Sequence, residues 1–204
     1  LRDGIPSYKG NKAQPGDLRY RDMNGDGKID DYDRTIIGCG QPLHTGGFSN
    51  TFTWKNFDLN IFFTWSYGND ILNANRLIFE SGYKSQTNQF ASFADRWTPE
   101  NSTSNIPRTN ATGNEEYSSR IIEDGSFLRL KNVSLGYTFS GRGIRKAGIS
   151  SLRLYVSADN IWTLTNYSGP DPEVSTRNSV LTPGFDWSAY PRAYGFTAGL
   201  NISF

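Results

Sequence analysis

The last eleven residues constrain this chain more than any other stretch. Tyr194, Phe196, Ala198, Leu200, Ile202 and Phe204 fall on one face of a period-two ribbon. Gly195, Thr197, Gly199, Asn201 and Ser203 fall on the other. Alternation of this kind belongs to a β-strand with one apolar and one polar side. In a soluble sandwich such a strand is an exposed edge that invites pairing with other chains. In a membrane barrel it is paired by closure, and its aromatic teeth meet hydrocarbon. A strand that runs to a terminal Phe204 is therefore expected to be barrel wall.

The same pattern recurs upstream. Phe48, Asn50, Phe52 and Trp54 alternate with Ser49, Thr51 and Thr53. After Lys55-Asn56, Phe57, Leu59, Ile61, Phe63 and Trp65 alternate with Asp58, Asn60, Phe62, Thr64 and Ser66. Residues 46–66 thus read as a β-hairpin with a two-residue turn. Alternation returns over 126–139, with Val133, Leu135, Tyr137 and Phe139 on one side. It returns again over 151–160, with Leu152, Leu154, Val156 and Ala158. Residues 140–149 read as a basic, glycine-bearing turn.

Between these ribbons lie long segments without periodicity: 1–21, 67–124 and 161–190. Short helices are expected over 30–37, ended by Gly38, and from Asn69 to Glu80. Loops this long are unusual in a compact soluble domain. They are ordinary in an outer-membrane barrel, whose turns are short on one side and long on the other. Composition agrees. Only 36% of residues are hydrophobic, yet 14% are aromatic, as expected when apolar residues face one side only. The expected fold is all-β: a partial antiparallel transmembrane β-barrel with long extracellular loops and minor short helices. No run of 18 apolar residues suggests a membrane helix, and Leu1-Arg2-Asp3-Gly4 does not read as a signal peptide.

Several functions are disfavoured. Lys+Arg 21 against Asp+Glu 20 leaves no basic excess for nucleic acid. The single cysteine, Cys39, permits no internal disulfide and reads as a small buried or half-buried residue. The single histidine, His44, reads as a loop residue and supports no Ser-His-Asp set. The loop carboxylates Glu80, Asp95, Glu100, Glu115, Glu116, Glu123, Asp124, Asp171, Glu173 and Asp186 are expected to be solvated, not paired for glycosidic chemistry. No enzyme is expected. The loop aromatics Tyr67, Tyr83, Phe90, Phe93, Trp97, Trp162, Tyr167 and Trp187 suit either loop packing or stacking on sugar rings.

One motif points to a metal. Asp22, Asn24 and Asp26 stand at positions 1, 3 and 5 of an EF-hand-like loop, with Gly27 at position 6. Lys28 would offer its backbone carbonyl at position 7, Asp30 acts at position 9 and Asp33 fills position 12. Hard oxygens at these intervals suit one structural Ca²⁺. Asp at position 12 is shorter than the usual Glu, and no helix precedes the loop. The alternative is an Asx-rich turn held by its own hydrogen bonds.

Stretches spread along the whole chain resemble the C-terminal region of SusC-type (RagA-like) TonB-dependent outer-membrane proteins. They are Pro15-Gly16-Asp17 through Asp30, Phe57-Asp58-Leu59 through Asp70, and Arg96-Trp97-Thr98-Pro99-Glu100-Asn101. Ile122 through Asn132, Tyr155 to Asn160, Tyr167 through Glu173 and Gly199 through Phe204 complete the set. The resemblance implies the C-terminal strands of a barrel of roughly 22 strands, hence a fragment of a larger chain. Residues 1–45 would form an extracellular loop segment with the calcium loop, and 46–204 the barrel strands and loops. It further implies location in the bacterial outer membrane and nutrient import of a glycan, oligosaccharide or peptide. The implied partners are a SusD-like surface lipoprotein, TonB through an N-terminal part, and outer-membrane lipid. The residues alone also admit a secreted or surface β-rich carbohydrate-binding or adhesion module with a structural calcium loop. A β-sandwich hydrolase fragment is the third reading, and it requires paired carboxylates in a cleft.

Overall fold

The structure, a computed structural model, describes residues 7–83, 86–176 and 181–204. The parts of the loop expectations that fall on residues 1–6, 84–85 and 177–180 lie outside the described residues. In chain order the strands are β1 (Ser7–Tyr8), β2 (Lys28–Ile29), β3 (His44–Trp54), β4 (Phe57–Tyr67), β5 (Asp70–Asn73) and β6 (Ile122–Asp124). They continue as β7 (Phe127–Phe139), β8 (Ser151–Thr165), β9 (Phe185–Asp186) and β10 (Gly195–Ser203). Two short helices are α1 (Asn75–Phe79) and α2 (Arg142–Arg145). The chain is all-β with antiparallel pairing in its main sheet. It divides into two compact units. One comprises Leu1–Gly40, Ile71–Glu123 and Ser175–Ala189; the other comprises Gln41–Asp70, Asp124–Val174 and Tyr190–Phe204.

The second unit is built on a five-stranded sheet of order β10-β8-β7-β4-β3, antiparallel throughout. The hairpin β3–β4 turns on Lys55-Asn56, with Lys55 at a φ of 55°. It is longer than 46–66. His44 pairs with Tyr67, stacks on its ring at 5.2 Å, and accepts a hydrogen bond from Trp65 Nε1 at 3.1 Å. His44 is therefore a strand residue, not a loop residue. β8 also outruns its expected end, because a bulge at Asn160 (φ 55°) lets pairing resume through Trp162, Thr163, Leu164 and Thr165. A second irregularity lies beside it in β7. Leu130 and Asn132 pair on both sides while Lys131 is left out of both ladders. The extra residue shifts the phase, so Leu128 and Leu130 join the face of Val133 and Leu135. The 140–149 turn contains α2.

The first unit is irregular. β1 and β2 pair in parallel, and β6-β5-β9 form a three-stranded sheet. Its small apolar core includes Ile29, Ile71, Ala74, Ala111 and Ile121. A buried charge network supplements it. Glu80 accepts from Arg76 Nε at 2.8 Å, Arg120 Nη1 at 3.0 Å and Ser92 Oγ at 2.8 Å. The expected helix from Asn69 to Glu80 is instead β5 followed by one turn, α1. Ile71 is fully buried there, and Leu72 and Asn73 pair with β9. Of the expected helix over 30–37 only a 3₁₀ turn, Asp31–Asp33, forms. A capping box of Asp30 and Asp33 closes it, and Arg34 leaves in an extended conformation. Ile36 and Ile37 are exposed, so no buried stripe rewards a longer helix. Cys39 is exposed as well, contrary to the buried or half-buried expectation.

Candidate functional site

The large sheet has two chemically distinct faces. Cross-strand pairs assign Phe48, Phe52 and Trp54, then Phe57, Leu59, Ile61 and Phe63, to one side. Val133, Leu135, Tyr137 and Phe139, then Leu152, Leu154 and Val156, continue it. Phe196, Leu200 and Ile202 complete it. Among the described residues nothing covers this face: Phe196 is 80% exposed, Leu200 58% and Ile202 43%. A contiguous apolar face of this extent is far larger than a soluble monomer leaves in water. Its ends are aromatic. Near the short turns, Phe57 meets Tyr137 edge-on at 4.6 Å, and Tyr137 meets Phe139 at 4.6 Å, with Trp54 alongside. Trp65 and Tyr67 lie at the other end, together with the His44 ring. Phe57 and Tyr67 bound the eleven residues of β4. Ten steps at about 3.4 Å give roughly 34 Å along the strand. A tilt of about 40° brings this to about 26 Å, close to the apolar band of a membrane barrel.

The opposite face is polar. It carries Thr45, Ser49 and Thr51 on β3, Asp58 and Asn60 on β4, Ser134 and Thr138 on β7, Arg153 and Ser157 on β8, and Thr197 and Asn201 on β10. Arg153 bonds Asp58 in bidentate fashion, Nε to Oδ1 at 3.0 Å and Nη2 to Oδ2 at 2.5 Å. This bridge crosses β7 over Gly136, where any Cβ would stand 2.5 Å from Asp58 Oδ1. Asn60 donates to Thr51 Oγ1 at 2.9 Å and Asn132 to Asp159 at 2.8 Å, so the face is laced by side-chain bonds.

At the end of β7 away from the short turns, Arg129 emerges on the polar face and is 3% exposed. Its guanidinium donates to Thr163 Oγ1 at 3.0 Å, Glu173 Oε2 at 3.0 Å and Asp171 Oδ1 at 2.6 Å. Arg192 donates from Nη2 to Glu173 at 2.9 Å, and its backbone N–H donates to Asp171 at 3.2 Å. Burial alone would push the Asp171 carboxyl upward. The Arg129 hydrogen bond and the backbone N–H groups of Glu173 and Arg192 outweigh it and hold the group below its usual range. The Tyr167 through Glu173 motif thus delivers two carboxylates onto a buried arginine. Asp171, like the buried Glu80 and Asp186, is not the solvated loop acid that the sequence suggested, whereas Glu173 is ion-paired yet exposed. Composition offered no signal for the pairing; only the fold brings residues 129 and 171 together.

The expected metal residues Asp22, Asn24, Asp26, Lys28, Asp30 and Asp33 form one tight curl in the first unit. Asp22 accepts from Gly25 N at 2.6 Å and Gly27 N at 2.8 Å; both glycines have positive φ. Asn24 Oδ1 accepts from Asp26 N, and Asp26 Oδ1 from Lys28 N. Asp33 accepts from Met23 N and Asp30 N, each at 2.8 Å. Those N–H groups, Asp30 first, hold the Asp33 carboxyl below its usual range. The curl from position 1 to position 6 is in place. Among the described residues, however, no three His, Cys, Asp or Glu side chains gather at metal-binding distance.

Loop aromatics pack in several cases. The Trp97 ring occupies the space a Gly16 Cβ would need, 2.5 Å away, with Gly16 at a φ of +83°. Phe93 packs over Gly82, Phe90 against Phe79 at 5.3 Å, and Tyr167 is buried over Gly169. Tyr83 and Trp187 are exposed, and Tyr67 and Trp162 are strand residues.

No family model matches the chain. Among curated proteins, TonB-dependent receptor P3 of Formosa agariphila is 39% identical over 207 aligned positions, covering 99% of this chain and 20% of that protein. TonB-dependent receptor P26 of the same organism is 35% identical, covering 93% and 20%. TonB-dependent receptor SusC of Bacteroides thetaiotaomicron is 28% identical, covering 94% and 18%. Among solved structures, the RagAB peptide transporter superposes with a TM-score of 0.71 at 29% identity, over 83% of this chain and 18% of that one. The chain spans about a fifth of the length of the relatives it matches. It belongs to the SusC/RagA type of TonB-dependent receptors, as a piece of their barrel.

Proposed function

We propose that this segment is lipid-facing wall and extracellular loop of an outer-membrane importer. That importer would take up a glycan, oligosaccharide or peptide with a SusD-like surface lipoprotein as lid, and draw energy from TonB through parts outside this chain. One observation carries the reading: an exposed, predominantly apolar face, ended by aromatics, backs a face rich in Ser, Thr, Asn and paired charges. Such a sheet is stable where one side meets hydrocarbon and the other meets a hydrated lumen. Membership among TonB-dependent receptors, which are outer-membrane proteins, supports the location. The solved relative described as a peptide transporter supports import and leaves the substrate class open between glycan and peptide.

The test is a clean deletion of the full-length gene, grown on a panel of oligosaccharides and peptides. Loss of uptake of at least one nutrient is expected, restored by the intact gene only in cells that carry TonB. Unchanged uptake of the whole panel, or TonB-independent rescue, contradicts the reading. Affinity capture of the full-length receptor should also bring down one surface lipoprotein.

We also propose that the curl of Asp22, Asn24, Asp26, Lys28, Asp30 and Asp33 takes a structural Ca²⁺. The Asp22 to Gly27 bond, which closes positions 1 to 6, supports it. Calcium titration of the EDTA-treated full-length protein should raise its melting temperature. D22A/D26A should abolish the rise. An identical rise in the double variant places any calcium elsewhere.

A further inference from the structure

The first unit contains a cleft of about 670 Å³ that the faces of the large sheet do not use. The buried Ile29 lines it, and Met23, Ile37 and Tyr117 supply apolar and aromatic surface. The volume falls within the range of small-ligand sites, about 300–1,000 Å³.

Its polar lining is unbalanced. The carboxylates are engaged. Glu116 accepts from Lys9 Nζ at 2.7 Å and lies 4.0 Å from Arg34, while Asp31 pairs with Arg34 at 2.9 Å. Asp30 accepts the backbone N–H of Tyr32, and Asp33 those of Asp30 and Met23. Three guanidinium donors are not engaged. Arg19 and Arg21, two residues apart and both exposed, have no ion-pair or hydrogen-bond partner among the described residues. Arg120 Nε is buried without an acceptor, although Arg120 is held in place by Glu80 and Asn114. A buried donor with no acceptor is rare in folded proteins and calls for a partner. Arg19, Arg21 and Tyr117 line the same cleft, and unengaged guanidinium groups with an aromatic ring in one cleft are suited to a carboxylate carried on a ring.

We infer that this cleft binds a ligand bearing a carboxylate beside a sugar-like or apolar ring. The oxyanion meets Arg19 and Arg21, and the ring lies against Tyr117. The inference rests on the import reading for its biological meaning, since it names an acidic class of cargo; the binding itself requires no transport.

The experiment is calorimetric titration of the purified full-length receptor in detergent, with calcium present. The probes are a glucuronate-terminated disaccharide and its neutral glucose counterpart. The acidic probe should bind about tenfold tighter or more, the strength expected of a charge-assisted bidentate contact. R19Q/R21Q should remove that preference and leave the melting temperature unchanged, because neither side chain holds the fold. Equal binding of both probes, no binding of either, or an unaltered preference in R19Q/R21Q overturns the inference. If TonB-dependent uptake persists while the preference is absent, this inference alone fails. If the preference is present while deletion leaves uptake intact, the import reading alone fails.

Discussion

Arg129 Nη2 donates to Asp171 Oδ1 at 2.6 Å, with the two side chains only 3% and 6% exposed, and this contact fastens the Tyr167–Glu173 loop to the polar face of β7. Arg129 stands opposite Thr64 of β4 on the polar face, where the loop has little apolar surface of its own to bury. Tyr167 is its one buried aromatic.

Removing the cation should release the loop. R129M leaves Asp171 buried without its counter-charge, a change that typically costs about 3–5 kcal/mol. Proteolysis within residues 166–176 of the full-length protein should accelerate strongly. R129M/D171N should recover part of the protection, because no uncompensated charge is then buried. Equal protection of wild type and R129M would mean the pair does not hold the loop.

Acid should release the same loop. Asp171 titrates below the ordinary aspartate value of 3.8. Its contribution is therefore fully present above that value and is lost as pH falls through the lower folded one. Loop protection should be flat from about pH 8 to pH 5 and should decline only below about pH 4. D171N should blunt that decline. A transition centred near neutrality would point to another group.

Gly136 should tolerate no side chain. An alanine Cβ would stand 2.5 Å from Asp58 Oδ1 and 2.6 Å from Arg153 Nη2, so the bridge over β7 must break or shift. Overpacking of this kind costs about 1–3 kcal/mol. G136A should lower the heat-denaturation midpoint, whereas T138A on the same face should change it little. Equal midpoints would show that the bridge is dispensable.

The strands were legible because a sheet with one apolar and one polar face leaves a period-two record in sequence. β10 was read almost to the residue. Boundaries failed where backbone irregularity intervened. Asn160 and Lys131 are ordinary polar residues in sequence, yet their bulges extend β8 to Thr165 and re-phase Leu128 and Leu130. The expected helices near 30–37 and 69–80 failed for a different reason. Over 30–37 no apolar stripe is buried and local Asx bonds satisfy the backbone, whereas over 69–80 Ile71 is buried from strand β5, whose Leu72 and Asn73 pair with β9 instead of continuing a helix. Of the candidate sites, the calcium curl was visible because its residues are consecutive. The Arg129 cluster was not, since its members are scattered from 129 to 192 and become neighbours only through the fold.

The account depends on one face of the large sheet lying in lipid. Single cysteines placed in a C39S full-length background along β8 and β10, labelled with bimane and reconstituted with brominated lipid, test it most directly. Positions 152, 154, 156, 198, 200 and 202 should be strongly quenched. Positions 153, 155, 157, 197, 199 and 201 should be quenched weakly and should respond to an aqueous quencher. An absence of alternation, or quenching only by the aqueous agent at 154, 156, 200 and 202, would contradict the account.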